Sequence, residues 1–463
     1  MIIQSDWDTI SAISTPYGES GIGVVRLSGP AAKKIARKLF RPKHGRKSLV
    51  SHRVTYGEIV DPVDNTVIDE VLLLFMQKPK TYTREDVLEI QCHGGYLVLR
   101  KILECALREG ARLAQPGEFT KRAFLNGRID LAQAEAVIET IKAKTPAGLR
   151  VANEQLQGKL SGKVLEIKEI LLSVLSEIEA QLDFPDEDLG ELGSDGIYGD
   201  LEKCSELLQG LVSSFDDGRV LRNGLAVAIV GKTNVGKSSL LNRLLGDEKA
   251  IVTALPGTTR DVIEETMSLS GLTLRIVDTA GFQQWRNIVE REGIRRTKKM
   301  IREADLVLLV VDRSRPLSAE DQVIFKLIGK KKHLMVLNKI DLSPRVDKTK
   351  LDTLCPDASL AEVSARTGEG VEALREKIHA FVVQKGMEGT GDRIVVMAAR
   401  HKSALEEARK AVERAKERAG RHDFLDIAAL EIRGALDRLG EIVGEIYSED
   451  LLDRIFSQFC IGK

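Results

Sequence analysis

Gly231-Lys-Thr-Asn-Val-Gly-Lys-Ser238 matches G-x-x-x-x-G-K-[ST] at every fixed position. It follows the apolar run Leu225 to Val230 and precedes Ser239-Leu-Leu-Asn-Arg-Leu-Leu245, a good helix former stopped by Gly246. Strand, glycine loop and helix are the context in which this spacing cradles phosphate. The glycines let backbone N–H groups converge on phosphate oxygens, and the helix start adds about half a positive charge. Lys237 suits the β- and γ-phosphates and Ser238 a Mg²⁺ ion. The alternation of strand-like and helical runs over residues 225–380 predicts a mostly parallel sheet flanked by helices, with Leu306-Val-Leu-Leu-Val-Val311 as a strand buried on both faces.

Outward from the loop, further pieces arrive in the order a GTPase needs. Asp278-Thr-Ala-Gly281 closes the alternating run Leu272, Leu274, Ile276; Asp278 can hold a Mg²⁺-bound water, and the Gly281 amide can face the γ-phosphate. Asn338-Lys-Ile-Asp341 ends Leu334-Met-Val-Leu337. Asp341 can accept the ring and exocyclic N–H groups that guanine offers together and adenine does not. Ser364-Ala365-Arg366 suits a backbone contact to the guanine carbonyl. Pro256-Gly-Thr-Thr-Arg-Asp261 falls where a mobile switch belongs, with Thr259 as a second Mg²⁺ ligand. Arg260 reads as a solvated switch arginine rather than a cis arginine finger, and Gln283 and Gln284 as loop residues rather than water-positioning ones.

The chain has 463 residues, enough for about three domains. Its 69 Lys and Arg balance its 69 Asp and Glu, which excludes a protein coated in polyanion and leaves only local nucleic-acid contacts. No stretch is apolar enough to cross a bilayer, and the acids in Met1-Ile-Ile-Gln-Ser-Asp-Trp-Asp8 speak against a signal peptide, so a cytoplasmic protein without membrane attachment is expected. Five scattered cysteines without a C-x-x-C pair fit reduced thiols. Cys460, fourth from the end, does not read as a prenylation site, because Lys463 is outside the usual terminal set. Cys92-His93 makes a poor zinc site, and the Gly18, Gly21, Gly23 cluster precedes a strand where a dinucleotide loop would follow one.

Texture divides the chain. Residues 1–122 mix β-rich runs (Gly23 to Leu27, Val71 to Phe75, Val87 to Gln91) with turns. Residues 123–222 are helical, with Leu160, Val164, Ile167, Leu171, Leu175, Ile178 and Leu182 at helical spacing. Residues 223–384 form the nucleotide module, and 385–463 return to helical periods (Leu405, Ala408, Val412, Ala415, Ala419, then Leu436, Leu439, Val443, Ile446). An α/β module inserted into a helical domain is expected.

These motifs resemble the TrmE/Era/EngA group of GTPases, whose switch carries Gly-Thr-Thr-Arg-Asp. Asp8-Thr-Ile-Ser-Ala-Ile13, Gly21-Ile-Gly-Val-Val-Arg26, Tyr82 to Ile90, Pro116-Gly-Glu-Phe-Thr-Lys-Arg-Ala-Phe-Leu-Asn126 and Arg454 to Lys463 narrow the resemblance to the MnmE (TrmE) family of tRNA modification GTPases. The resemblance implies a multidomain α/β plus α fold: an N-terminal folate-binding-like α/β domain that dimerises, a helical domain, and an inserted P-loop GTPase domain. It implies work with MnmG, an FAD- and NADH-using protein, in a heterotetramer or larger complex. Together they add aminomethyl or carboxymethylaminomethyl groups at C5 of the wobble uridine of certain tRNAs. The one-carbon donor is a reduced folate, 5-formyltetrahydrofolate or methylene-tetrahydrofolate, and GTP, Mg²⁺ and K⁺ are needed.

Residue by residue, the resemblance implies nucleotide contacts at Asn234, Val235, Gly236, Lys237, Ser238 and Ser239. It adds Thr253, Ala254, Leu255, Pro256, Gly257, Thr258 and Thr259, then Asp278, Thr279, Ala280 and Gly281, and lastly Asn338, Lys339, Asp341, Ser364 and Ala365. Mg²⁺ falls on Ser238 and Thr259; K⁺ falls on Asn234, Thr253, Leu255 and Thr258, where it would supply the charge of an arginine finger. Glu290 takes the family's water-activating role beside Lys237, although Gln283-Gln284 replaces the Arg-Glu usual there. Folate contacts fall on Arg26, Glu89, Arg128 (commonly Lys) and Lys463. Cys460 is either a functional thiol or a small hydrophobe in the dimer core. The rival is an Era/EngA-like ribosome-assembly GTPase without folate chemistry, which would carry an RNA-binding module after the GTPase domain.

Overall fold

A computed structural model of the chain describes residues 8–16, 18–43, 49–143, 145–183, 193–246, 266–269, 272–277, 291–329, 331–347, 349–351, 359–384, 394–419 and 425–463. In chain order the first part carries β1 (Thr9–Ile13), β2 (Gly23–Ser28), α1 (Ala32–Leu39), β3 (Phe40–Pro42), β4 (Arg53–Val60), β5 (Val67–Met76), β6 (Val87–Cys92), α2 (Tyr96–Arg108), β7 (Ala111–Leu113) and α3 (Glu118–Leu125). Helices α4 (Leu131–Lys142), α5 (Pro146–Leu156), α6 (Lys159–Asp183), α7 (Gly193–Ser213) and α8 (Phe215–Asn223) follow. Then come β8 (Leu225–Val230), α9 (Lys237–Leu245), β9 (Thr266–Leu269), β10 (Leu272–Ile276), α10 (Arg291–Glu303), β11 (Leu306–Asp312), α11 (Ala319–Ile328), β12 (His333–Asn338), β13 (Ser359–Val363) and α12 (Val371–Gln384). Helices α13 (Ala399–Ala419), α14 (Leu425–Val443) and α15 (Glu449–Phe456) end the order.

The chain forms two compact units. One contains residues 1–139, 155–204 and 407–463, the other 140–154 and 205–406. The chain therefore enters the second unit twice, briefly at 140–154 and then for 205–406, and returns to the first each time.

In the first unit, a sheet in the order β3-β4-β5-β6-β2-β1-β7 is antiparallel except where β7 runs parallel to β1. Its alternating side chains put Val25, Leu27, Leu73, Leu88 and Ile90 on one face under α1 and α2. Helix α1 forms because Ala32, Ile35, Ala36 and Leu39 fall at i, i+3, i+4 and i+7, a single buried stripe. In the helical part, α14 lies along α6. Leu160, Val164, Ile167, Leu171, Leu175 and Ile178 of α6 are buried as their spacing predicts. Leu182 continues the spacing but is 43% exposed among the described residues. Ile446, past the end of α14, is likewise exposed.

In the second unit, the order is β13-β12-β11-β8-β10-β9, parallel throughout except for the β9–β10 pair. Successive residues of β11 feed opposite cores: Leu306, Leu308 and Val310 one, Val307, Leu309 and Val311 the other. That two-sided burial explains the unbroken apolar run. Val151 and Ala152 of α5 and Val220 and Leu221 of α8 complete the first of these cores.

Candidate functional site

The phosphate loop of the second unit is built by conformations that side chains resist. Gly231 and Gly236 have φ of 158° and 96°, and Asn234 sits at 62°. A Cβ on Gly236 would lie 2.2 Å from Asn338 Nδ2, and one on Gly231 would lie 2.4 Å from the Val310 carbonyl. Glycine is thus required by close approach as well as by backbone angle. The loop ends on Gly236, so α9 opens with Lys237 and Ser238 at its positive end. Lys237 Nζ donates to the carbonyls of Gly231 (2.9 Å) and Lys232 (2.7 Å). Burial pushes its ammonium down to about 8. A cation held at such a cost, at a helix start and beside a glycine cradle, fits a nucleotide's phosphates, and Ser238 beside it fits Mg²⁺.

Asn338, at the end of β12, joins two loops. Its Nδ2 donates to the Val235 carbonyl at 2.7 Å and its Oδ1 accepts from the Ala365 amide at 2.9 Å. Lys339, at φ 68°, donates to the Asn234 carbonyl (2.8 Å) and to Asp312 Oδ2 (2.7 Å). Burial alone would raise the Asp312 carboxyl; hydrogen bonds from Lys339 and Ser314 outweigh it and hold it below the usual range. Ser364 Oγ donates to Asp341 Oδ1 at 2.8 Å and accepts from the Thr367 amide at 3.1 Å. The Asp341 carboxylate is thereby held in place by Ser364. The motifs gave Asn338 and Lys339 without their tie to the phosphate loop. Asp312 belongs to no motif, and its only signal in the sequence is an acid closing a buried strand. A second such pair, Lys232 with Asp321 at 2.9 Å, uses the acid of the Ser318-x-x-Asp321 capping box.

The first unit gathers the second set. Arg26 of β2 and Glu89 of β6 face each other in register, and Arg26 Nε lies 2.9 Å from Glu89 Oε1. Arg26 Nη1 also donates to the Gly462 carbonyl at 3.3 Å, and its guanidinium lies over the Phe119 ring at 5.7 Å. Ser14 Oγ donates to the same Gly462 carbonyl at 3.2 Å, and the Phe119 amide donates to the Lys463 carbonyl at 3.2 Å. The Arg128 guanidinium lies over Tyr82 at 4.6 Å, and Tyr82 Oη is 3.0 Å from Thr120 Oγ1. Arg26, Glu89 and the 460–463 backbone thus meet, with Tyr82, Phe119 and Arg128 on adjoining residues. A carboxylate, cations and flat rings match a pterin's amidine-like edge, acidic tail and aromatic face. Phe119 and Tyr82 each lie inside a motif without being marked by its spacing. The Cys460 side chain is exposed in the chain, while its carbonyl accepts from the Gly117 amide at 3.4 Å.

Thr253, Ala254, Leu255, Pro256, Gly257, Thr258, Thr259, Arg260, Asp278, Thr279, Ala280, Gly281, Gln283, Gln284 and Glu290 lie outside the described residues. The described residues after 394 hold helices α13 to α15 and no strand, unlike the RNA-binding module of the ribosome-assembly alternative. Among the described residues, no helix is long and apolar enough to cross a membrane.

Comparison with known proteins covers nearly the whole chain. The family model for the MnmE helical domain matches residues 131–460, and that for the GTP-binding protein TrmE N-terminus matches residues 9–128. The tRNA modification GTPase MnmE of Acetivibrio thermocellus is 46% identical over 456 residues, spanning 98% of this chain and 99% of its own. Proteins of the same name from a Thermoanaerobacter species and from Geobacter sulfurreducens are each 47% identical, over 99% and 98% of this chain and 100% and 99% of theirs.

Proposed function

The chain belongs to the MnmE (TrmE) family of tRNA modification GTPases, and from that premise we propose that it hydrolyses GTP to drive wobble-uridine modification with a folate-derived carbon. The observation that carries the guanine half is the Asn338 bridge with Asp341 held by Ser364. It fixes the base-reading carboxylate relative to the phosphate loop before nucleotide arrives. An acceptor so placed favours guanine, because adenine would leave it unpaired at a cost of about 1–3 kcal/mol.

In this reading Lys237 stabilises charge that develops on the transferred phosphoryl group, and Glu290 orients the attacking water. Mg²⁺ at Ser238 and Thr259, and K⁺ at Asn234, Thr253, Leu255 and Thr258, would neutralise phosphate charge when bound. In the first unit, Glu89 and Arg26 bind and orient a reduced folate, with Arg128 and Lys463 toward its glutamyl carboxylates; when bound, the folate supplies the one-carbon unit. Two copies joined through their N-terminal domains, acting with MnmG in the cytoplasm on tRNA, complete the assembly.

The test is GTP hydrolysis against K⁺ concentration, with Na⁺ replacing K⁺ at constant ionic strength, with and without MnmG and tRNA. We expect the rate to collapse in Na⁺ and Glu290→Ala to keep GTP binding while slowing turnover by roughly 10²-fold or more. Indifference to the swap removes the K⁺ role, and near-normal turnover of the variant removes that of Glu290.

A further inference from the structure

In a chain whose formal charge is zero, residues 31–43 contain six Lys and Arg and no Asp or Glu. The fold sorts them. Ala32, Ile35, Ala36 and Leu39 turn inward to the sheet, so Lys34, Arg37 and Lys38 line the outer face of α1, and Arg41 continues the line on β3, the edge strand. From Lys34 to Arg41 the stripe spans about 14 Å along the chain, five helical steps and two extended ones.

Few acids answer it. Lys38 pairs with Glu109, and Lys43 with Glu58 and Glu70. Arg41 donates to a neutral amide, Asn65 Oδ1, at 2.6 Å, a partner that brings no opposing charge. Lys34 and Arg37 are exposed and make no ion pair among the described residues. Elsewhere the pattern differs: on α13, Lys402, Arg409 and Arg414 each have a glutamate partner.

We propose that the α1–β3 stripe is a docking surface for the phosphate backbone of the tRNA substrate. The inference rests on the functional reading above and adds where the polyanion lies. The charges stand on rigid, well-packed elements at a spacing that can meet two or three consecutive phosphates. Their apolar neighbours are committed to the core, which leaves the helix no greasy face to sink into a lipid surface. Contacts of this kind position an RNA without reading its sequence.

The experiment uses the full chain and unmodified tRNA, with the dissociation constant measured by fluorescence anisotropy across a series of salt concentrations. Lys34→Gln with Arg37→Gln removes two contacts. The slope of log affinity against log salt should shrink by about 1.4–1.8, at roughly 0.7–0.9 per phosphate, and affinity should fall about tenfold or more at low salt. Lys34→Arg with Arg37→Lys should retain both, and GTP hydrolysis without tRNA should be unchanged in all variants. Unchanged slope and affinity in the double Gln variant, with wild-type tRNA binding intact, overturns the surface alone. Loss in the charge-conserving pair as large as in the Gln pair overturns the electrostatic argument. No salt-sensitive tRNA binding by the wild type overturns the tRNA reading itself. Charge-dependent sedimentation with phosphatidylserine–phosphatidylcholine vesicles, with tRNA binding unaffected, reassigns the stripe to a membrane and overturns the proposal.

Discussion

Lys237 carries the sharpest expectation at the scale of one residue. Burial disfavours its charged form, with a pKa of about 8 against 10.5 for an ordinary lysine. Nucleotide phosphates restore the proton, so GTP binding near pH 8 takes up part of a proton. Above about pH 8, affinity should fall by up to tenfold per pH unit. Calorimetry in two buffers of different ionisation enthalpy reads the uptake, and a heat independent of buffer refutes it. The sign for stability is the opposite of the usual lysine case. Between about pH 8 and 10.5 the unfolded chain holds the proton that the folded one has lost, so Lys237's contribution to stability rises with pH in that window. Asp341→Asn puts an N–H opposite guanine's own N–H groups. GTP affinity should drop by roughly 10- to 100-fold and xanthosine triphosphate should improve, as competition binding would register. A variant with unaltered base preference would mean that another group reads the base.

Elements show what the sequence disclosed and what it withheld. The strand β8, the loop and α9 were legible because each demands a residue type for a physical reason: burial on both faces, glycine where a Cβ collides, a helix former after it. The buried face of α6 was legible from period alone, yet period does not say which position of the stripe stays exposed, as Leu182 does. Contacts across hundreds of residues were not legible. Nothing in the run Phe459 to Lys463 announces that its carbonyls receive Arg26, Ser14, Gly117 and Phe119. That segment turns at Gly462, with φ of 95° and the Ile13 carbonyl only 2.5 Å from where a Cβ would stand. Gly462→Ala should therefore cost about 1–3 kcal/mol locally. It should weaken 5-formyltetrahydrofolate binding about tenfold while leaving GTP hydrolysis as it was. Unchanged folate titration would show that the tail does not shape that site.

At the scale of the whole molecule, the two sites belong to different compact units, which predicts separable losses. Glu89→Ala should abolish saturable folate binding without changing the affinity for GTP; if both fall together, the sites do not act as independent binding modules. The nucleotide unit also draws on a segment remote in sequence. Val151 and Ala152 of α5 lie in the same core as β8 and β11. A fragment of residues 205–406 lacking 140–154 should be about 2–5 kcal/mol less stable than one with that segment joined to it, as urea midpoints would show. Equal midpoints would mean that α5 contributes little to that core.

The meeting of β2 with the Gly462 carbonyl bears on synthesis as well as on binding. Residues 8–139 leave the ribosome long before residues 460–463 do, so the nascent N-terminal part waits for those residues to complete the surroundings of Arg26. A stop codon placed between Glu406 and Cys460 would release a product that holds every residue of the second unit and lacks the backbone that Arg26 meets.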